Sequence, residues 1–214
     1  MPGERRDGAA ARAPRSAVAA AEALAREYDP EPAHFLQVRR NAINLFDATA
    51  ELHGLGTRER ELLEAAALLH DTGYSNRPEE HHKGSRDLIM EKELPGFTGR
   101  EQRIIACVAR YHRKAHPKAK HRIYRDLNQE DALITRKLAA LLRIGDGLDR
   151  AHEASVRDLW VERRAGGIRI HIRQRRPSPA DVFGAEKKRQ LFEEIFGLRV
   201  DIVPEMEPSE FVMD

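Results

Sequence analysis

The sequence predicts a mainly α-helical protein, a helical bundle followed by a small C-terminal α+β appendage of hairpin, helix and strand. Apolar residues recur at helical spacing through the first two thirds of the chain, in segments separated by Gly, Pro and Asp. Alternating apolar and polar residues then replace that spacing. Hydrophobic residues make up 41% of the 214 residues, which is enough for a substantial core.

The predicted helices of the bundle follow one another with short connections. We expect them at residues 16–28, 33–53, 59–71, 81–92, 99–112 and 129–151. Thr57 and Thr98 stand just before apolar helical patterns and are candidate N-caps. Residues 113–128 are polar and basic, and they predict a loop.

The predicted appendage begins with a β-hairpin. Residues 156–161 and 168–173 alternate apolar with polar or basic side chains, and residues 165–167 between them read Ala-Gly-Gly, which is typical of a tight turn. A helix at 180–196 and a strand at 198–203 follow.

Composition divides the chain into three segments and excludes several classes of protein. Residues 1–14 are rich in Gly, Pro, Ala and Arg and are expected to be disordered. Residues 15–152 form the predicted helical domain, and residues 153–214 the small αβ subdomain. The single cysteine, Cys107, excludes an internal disulfide and a zinc site made of cysteines. No apolar run approaches the ~20 residues of a membrane span, and the N-terminus lacks a signal peptide's apolar stretch. We therefore expect a cytoplasmic protein without a membrane partner.

The adjacent pair His70-Asp71 is the most unusual feature, because it ends the strongly apolar segment AAALLHDTG. Burying two polar groups costs several kcal/mol unless something satisfies them, and a metal ion does so. Taken alone, the pair is better explained as a packed histidine and a hydrogen-bonded aspartate, because short motifs often match by chance.

Further ligand-type residues change that balance. His34, His82, His112 and Asp146 all fall near predicted helix ends or in apolar surroundings, as a site built from several helices requires. With His70 and Asp71 they suffice for two ions sharing the aspartate. Mixed histidine and carboxylate ligands suit Mn²⁺, Fe²⁺ or Zn²⁺, and also Mg²⁺ where water completes the site.

Asp149 lies one helical turn after Asp146. It can support a ligand from behind, or it can form a surface ion pair with Arg143 or Arg150. The sequence leaves both open.

Four segments together resemble the C-terminal HD region of the exopolyphosphatase/guanosine pentaphosphate phosphatase (Ppx/GppA) family, a branch of the HD superfamily of metal-dependent phosphohydrolases. These segments are HFLQVRRNAINLFD, AALLHDTGYSNRPEEHHKGS, LPGFTGREQRIIACVARYHRK and LAALLRIGDGLDRAH. The resemblance runs from about residue 32 to about residue 203, without that family's ATPase-like N-terminal domains. It implies an HD-domain helical bundle that is free-standing.

The resemblance also implies a ligand set. Its members are His34, His70, Asp71, His82, His112 and Asp146. In the family the segment after the His-Asp pair often reads His-His-Lys-His-Ser, and here Gly84 replaces the last histidine. Either His81 or His82 then serves as the ligand, and we prefer His82.

A mechanism follows as a hypothesis. Metal ions would lower the pKa of a bound water for attack on phosphorus, and Asp71 would bridge the ions and orient the nucleophile. Lys83 and Arg113 are candidate catalytic residues that also hold the anionic substrate, with Lys114 and Arg143 as further substrate contacts. A solvated surface charge explains each of these basic residues equally well.

The expected function is therefore a phosphohydrolase with one or two divalent ions, acting on a nucleotide, a guanosine polyphosphate or inorganic polyphosphate. The alternatives are a non-catalytic polyphosphate-binding or regulatory module beside a separate catalytic protein, and a dimerisation scaffold with a vestigial site. The intact ligand set favours the enzyme.

Basic stretches at 111–125 and 161–176 slightly favour a polyanion-binding surface. Open strand edges make a homodimer a further expectation.

Overall fold

The structure is a computed structural model, and it describes residues 16–205. The segment expected to be disordered, residues 1–14, lies outside the described residues, as does the end of the predicted subdomain after residue 205. The described part is mainly helical and carries a small sheet towards its C-terminal end, so the predicted fold class is confirmed.

The elements follow the chain from helices to sheet. The helices are α1 (Ala17–Tyr28), α2 (Pro32–Ala48), α3 (Ala50–His53), α4 (Thr57–Leu69), α5 (His81–Glu91), α6 (Gly99–Arg110), α7 (Arg122–Arg125), α8 (Gln129–Gly147), α9 (Pro179–Lys188) and α10 (Gln190–Phe196). The strands are β1 (Val156–Arg164), β2 (Gly167–Gln174) and β3 (Arg199–Glu205). None of the helices within residues 16–205 combines the length and apolar character that crossing a membrane requires.

Side-chain caps account for several helix starts. Ser16 Oγ accepts from Ala19 N at the start of α1. Thr98 caps α6 as predicted, because Glu101 N donates to its Oγ1 while Thr98 N donates to the Glu101 carboxylate at 2.8 Å. The expectation for Thr57 was wrong, since α4 already includes Thr57 and its N-cap is Gly56.

Other boundaries also differ from expectation. The helix predicted at 33–53 divides at Thr49, whose hydroxyl donates to Leu45 O at 2.6 Å and competes with the regular backbone pattern. The predicted 113–128 loop contains the one-turn helix α7. The helix predicted at 129–151 ends at Gly147, and the one predicted at 180–196 divides at Arg189 into α9 and α10.

The core lies between α2, α4, α6 and α8, which pack on one another. Helix α4 is central, since all of residues 65–69 are buried, and a helix that is apolar around its circumference needs neighbours on every side. Helix α1 covers α4 and α5 covers α6. The C-terminal ends of α4, α6 and α8 thereby meet the N-terminal ends of α2 and α5, where the candidate ligands lie.

The sheet has the order β1-β2-β3, with β1 antiparallel to β2 and β2 parallel to β3. The predicted hairpin is confirmed and is longer than expected, and Gly166 in its turn adopts a φ of 73°. Helices α9 and α10 make the crossover that a parallel pair requires. Ile168, Ile170 and Ile172 share one buried face and join the hydrophobic cluster of the bundle, so one core spans both regions.

Candidate metal centre

Asp71 lies directly after the C-terminal end of α4 and faces two groups of histidines. On one side, its Oδ2 is 3.5 Å from Nε2 of His70 and 3.8 Å from Nε2 of His34. The same His34 nitrogen is 3.9 Å from Oδ1 of Asp146 on α8. We call His34, His70 and Asp146 the first ligand group, since their donor atoms all lie within 4.8 Å of one another.

The other oxygen of Asp71 faces a second set of rings. Its Oδ1 is 3.3 Å from Nε2 of His81 at the start of α5 and 3.5 Å from Nε2 of His112 after α6. Asp71, His81 and His112 form the second ligand group. One carboxylate therefore lies between two groups of donors, as a carboxylate that bridges two ions does.

Several of these atoms lack partners. Among the described residues, the buried Nε2 atoms of His34 and His70 and the buried Oδ1 of Asp71 have no hydrogen bond. An unsatisfied buried polar group costs about 1–3 kcal/mol, and more when it is charged. Two atoms that each lie about 2.1 Å from one ion are roughly 3.0–3.5 Å apart, close to the separations here. The donor set and its unpartnered atoms fit a divalent metal ion.

Hydrogen bonds orient the histidine rings. Nδ1 of His70, His81 and His112 in each case meets a backbone carbonyl three residues earlier. The acceptors are the oxygens of Ala67, Pro78 and Ala109, at 2.7, 2.8 and 2.7 Å. Because a carbonyl can only accept, Nδ1 carries the proton and the Nε2 lone pair faces the ligand group.

His34 is oriented by a carboxylate instead. Oδ2 of Asp149 lies 2.8 Å from Nδ1 of His34, and its Oδ1 accepts from Ala154 N at 2.8 Å. Asp149 is fully buried, so the structure places it behind a ligand rather than in a surface ion pair. The His152 ring stacks on His34 with centroids 3.8 Å apart and covers it.

The local electrostatics favour metal-binding protonation states. Burial would raise the pKa of Asp71, but His70 and His112 outweigh it and lower that pKa to about 2. Burial holds the pKa of His112 well below 6.5 despite Asp71 and Asp146, and it also lowers the pKa of His81. Asp71 is therefore ionised, and His81 and His112 are neutral, at neutral pH, as ligation requires.

Residues 17–176 match the family model described as Ppx/GppA phosphatase, domain III. The chain belongs to this family. A curated relative, the guanosine-5'-triphosphate,3'-diphosphate pyrophosphatase of Pseudoalteromonas translucida (strain TAC 125), is 32% identical over 83 residues. That stretch covers 39% of this chain and 16% of the relative, so the chain matches only a small part of the relative's length.

The glycines around Asp146 explain how this Ppx/GppA domain assembles its centre. A β-carbon at Gly145 would lie 3.0 Å from Ala42 N, and one at Gly147 would lie 2.7 Å from Ala185 Cα. The absence of side chains at both positions lets α2 and α9 approach α8 on either side of the carboxylate. Asp146 is thereby enclosed between two helices.

The geometry brings His81, and not His82, to Asp71, whereas the sequence had favoured His82 as the ligand. Adjacent helical residues point about 100° apart, so only one of the pair faces Asp71. The His82 ring is buried with its centroid 6.4 Å from that of His112, and its Nδ1 has no hydrogen bond within residues 16–205. Burial and nearby Arg110 lower the pKa of His82 to about 3.

The predicted basic residues take different places. Arg113 reaches the second ligand group, where its NH1 donates to Nε2 of His81 at 2.9 Å. The Nε2 lone pair of His81 therefore accepts from Arg113 in this structure, unlike those of His34 and His70. Lys83 instead pairs with Glu80, and no hydrogen bond or ion pair within residues 16–205 joins it to a ligand residue. Lys114 Nζ donates to Glu79 O at 3.1 Å, on the surface beside the start of α5.

Arg143 is buried and bonds to the backbone, whereas the sequence predicted a contact with substrate. It is 5% exposed, and its NH1 donates to Tyr111 O at 3.0 Å, beyond the end of α6. A side chain that satisfies the carbonyl of a helix C-cap is positioned to stabilise the fold. Arg143 also lies within electrostatic range of Asp146, and its contact with substrate stays a prediction.

Two charged residues at the centre had not been expected. Lys188, the last residue of α9, forms an ion pair with Oδ2 of Asp146. Asp29 is buried within electrostatic range of His70 and Asp71, and burial raises its pKa. Neither residue shows a local sequence signal, because each reaches the centre only through the packing of distant segments.

Proposed function

We propose that this Ppx/GppA domain is an HD-type metal-dependent phosphohydrolase that acts on a phosphoanhydride or phosphoester. The observation that carries the proposal is the position of Asp71, whose two oxygens each face a separate group of histidines with inward lone pairs. The proposed substrates are a nucleotide, a guanosine polyphosphate or inorganic polyphosphate. The curated relative is named for hydrolysis of a guanosine polyphosphate, which supports this class.

The chain's own residues have distinct tasks in this proposal. The ligands would be His34, His70, Asp71, His81, His112 and Asp146. Metal ions held by them would polarise a phosphate oxygen and lower the pKa of a bound water. Asp71, ionised at neutral pH, would offer one carboxylate oxygen to each ligand group. Arg113 donates to Nε2 of His81, the nitrogen that a metal ion in the second group would take. A metal ion there would displace the guanidinium, and we assign the displaced Arg113 to the anionic substrate.

The ligand chemistry favours particular metals. Four imidazoles and two carboxylates suit Mn²⁺, Fe²⁺ or Zn²⁺. Mg²⁺ prefers oxygen ligands and is less suited to so many nitrogens.

The test is metal-dependent turnover by the whole chain. Protein stripped with a chelator is reloaded with Mn²⁺, Fe²⁺, Zn²⁺ or Mg²⁺ and assayed for phosphate release from nucleotides, guanosine polyphosphates and polyphosphate. We expect hydrolysis with at least one metal, and a loss of at least about 100-fold in Asp71→Asn. Asp126→Asn, an exposed aspartate, is the matched control. The absence of hydrolysis with every metal would contradict the proposal.

A second candidate is a non-catalytic polyphosphate-binding or regulatory module that works with a separate exopolyphosphatase-type protein. The matched family model describes one domain, domain III, of the phosphatase, and this observation favours the second candidate. This candidate predicts metal-dependent polyphosphate binding without phosphate release.

Location and assembly belong to the same proposal. We propose a cytoplasmic location for this domain. Strands β1 and β3 are the two edges of the sheet, and a homodimer would pair through one of them.

A further inference from the structure

The carboxylate of Asp146 is divided between two neighbours. Its Oδ1 faces His34 in the first ligand group, while its Oδ2 is paired with the ammonium of Lys188. The Lys188 side chain is 20% exposed, so it borders both the centre and solvent. The ammonium thus places a positive charge beside the first ligand group.

Backbone packing, more than the ion pair, places Lys188 there. Helix α9 lies on α8 at a contact between glycines, where a β-carbon at Gly184 would be 2.4 Å from Gly147 O. Phe192 and Leu191 of α10 anchor the following turn in the core. Because this packing does not depend on the ammonium, Lys188 stays at the centre when its pairing with Asp146 is broken.

We propose that Lys188 is the resident counter-ion of the first ligand group, neutralising Asp146 until a divalent cation binds and then contacting an anionic oxygen of the phosphorylated substrate. The proposal rests on the proposed function and names a substrate contact that residues 17–176, the part matching the family model, do not contain. A divalent cation beside Asp146 repels an ammonium held on the same carboxylate. A lysine's flexible stem and three donors suit it to turn towards a phosphate.

The rival role is an ion pair that only fastens α9 to α8. The two roles differ in what happens to metal affinity when the charge is removed. A counter-ion competes with the metal for Asp146, so its loss makes the metal bind more tightly. A fastening ion pair helps to hold Asp146 in place, so its loss leaves metal affinity unchanged or weaker and lowers the melting temperature.

The experiment uses the whole metal-free chain, titrated with Mn²⁺ by calorimetry, and then the Mn²⁺-loaded chain titrated with inorganic phosphate. Lys188→Met keeps the length of the side chain and removes its charge. We expect Lys188→Met to bind Mn²⁺ about three- to tenfold more tightly, and phosphate at least about threefold more weakly. Lys188→Arg should keep both affinities within about twofold of wild type.

Lys187→Met is the matched control, because Lys187 precedes Lys188 on α9 and lies over the exposed Phe183 ring. It should change neither affinity. Unchanged or weaker Mn²⁺ binding by Lys188→Met, measured on variants that retain the helical circular dichroism of wild type, would overturn the counter-ion role. If Lys188→Met does not fold, weaker phosphate binding in Lys188→Gln is required instead, and its absence overturns the proposal. No Mn²⁺ binding by the wild-type chain would contradict the proposed function itself.

Discussion

Oδ2 of Asp149 lies 2.8 Å from Nδ1 of His34, and this contact decides which nitrogen of the ring faces the first ligand group. The carboxylate accepts a hydrogen bond from the Nδ1–H group, so the lone pair of the ring is on Nε2. Ala154 N donates to the other oxygen and fixes the carboxylate in turn. Orientation of a ligand therefore depends on a residue that does not itself belong to either ligand group.

Replacing Asp149 by Asn tests this relationship. An amide offers one acceptor and one donor where two donors, the His34 ring and Ala154 N, now point. We expect Mn²⁺ affinity to fall about 10- to 100-fold, with the fold retained, as measured by calorimetric titration. Asp126→Asn should bind metal as wild type does. Equal affinities for the two variants would mean that Asp149 does not orient His34.

The paired variants His81→Gln and His82→Gln distinguish two adjacent rings. We expect the wild-type chain to hold about two Mn²⁺ ions and His81→Gln about one, because His81, unlike His82, belongs to the second ligand group. His82→Gln should keep both ions. Metal content after dialysis, measured by mass spectrometry, is the readout. Loss of an ion from His82→Gln alone would restore the preference drawn from the sequence.

The two glycines beside Asp146 should differ in tolerance. A β-carbon at Gly147 would meet backbone atoms of α9 at 2.7 Å, so Gly147→Ala should lower the free energy of unfolding by about 1–3 kcal/mol. Gly145→Ala meets Ala42 at 3.0 Å and should cost less.

Gly99→Ala is the control for this series, because nothing lies within 4 Å of its β-carbon position at the start of α6. It should be neutral or slightly stabilising. Urea unfolding gives all three values. A Gly147→Ala protein as stable as Gly99→Ala would show that α9 does not need this close approach.

Stability of the metal-free protein should fall as the pH decreases through 6.5. Burial lowers the pKa of His81, His82 and His112 below their ordinary value of 6.5 in the folded protein. Below pH 6.5 the unfolded chain therefore binds more protons than the folded one, and the free energy of unfolding decreases as the pH falls. Between about pH 7.5 and 5.5 we expect a loss of roughly 2 kcal/mol, after allowing for solvent screening.

Urea unfolding at the two pH values, with a chelator present, measures this loss. His82→Gln removes one of the three groups and should reduce the pH dependence by about a third. A free energy of unfolding that is equal at both pH values would contradict buried, neutral rings.

Much of the fold could be predicted because helical periodicity and capping are local properties. The start of α1 beside Ser16, the Thr98 cap of α6 and the hairpin around Gly166 all follow from residues within a few positions of one another. Predictions of helix boundaries failed where one side-chain contact competes with the backbone pattern. At Thr49 the hydroxyl donates to Leu45 O of the helix that ends there.

The sequence by itself determined the helical class, the hairpin and the residue types of a candidate metal centre, and each predicted ligand except His82 lies in one of the two groups. The tertiary structure brought His81 rather than His82 to Asp71, placed Asp149 behind His34, and brought Lys188 to Asp146. The physical reason is that side-chain direction and helix placement are set by packing between segments far apart in the chain. The Asp149 carboxylate and the His34 ring are 115 positions apart, and no local pattern encodes their contact.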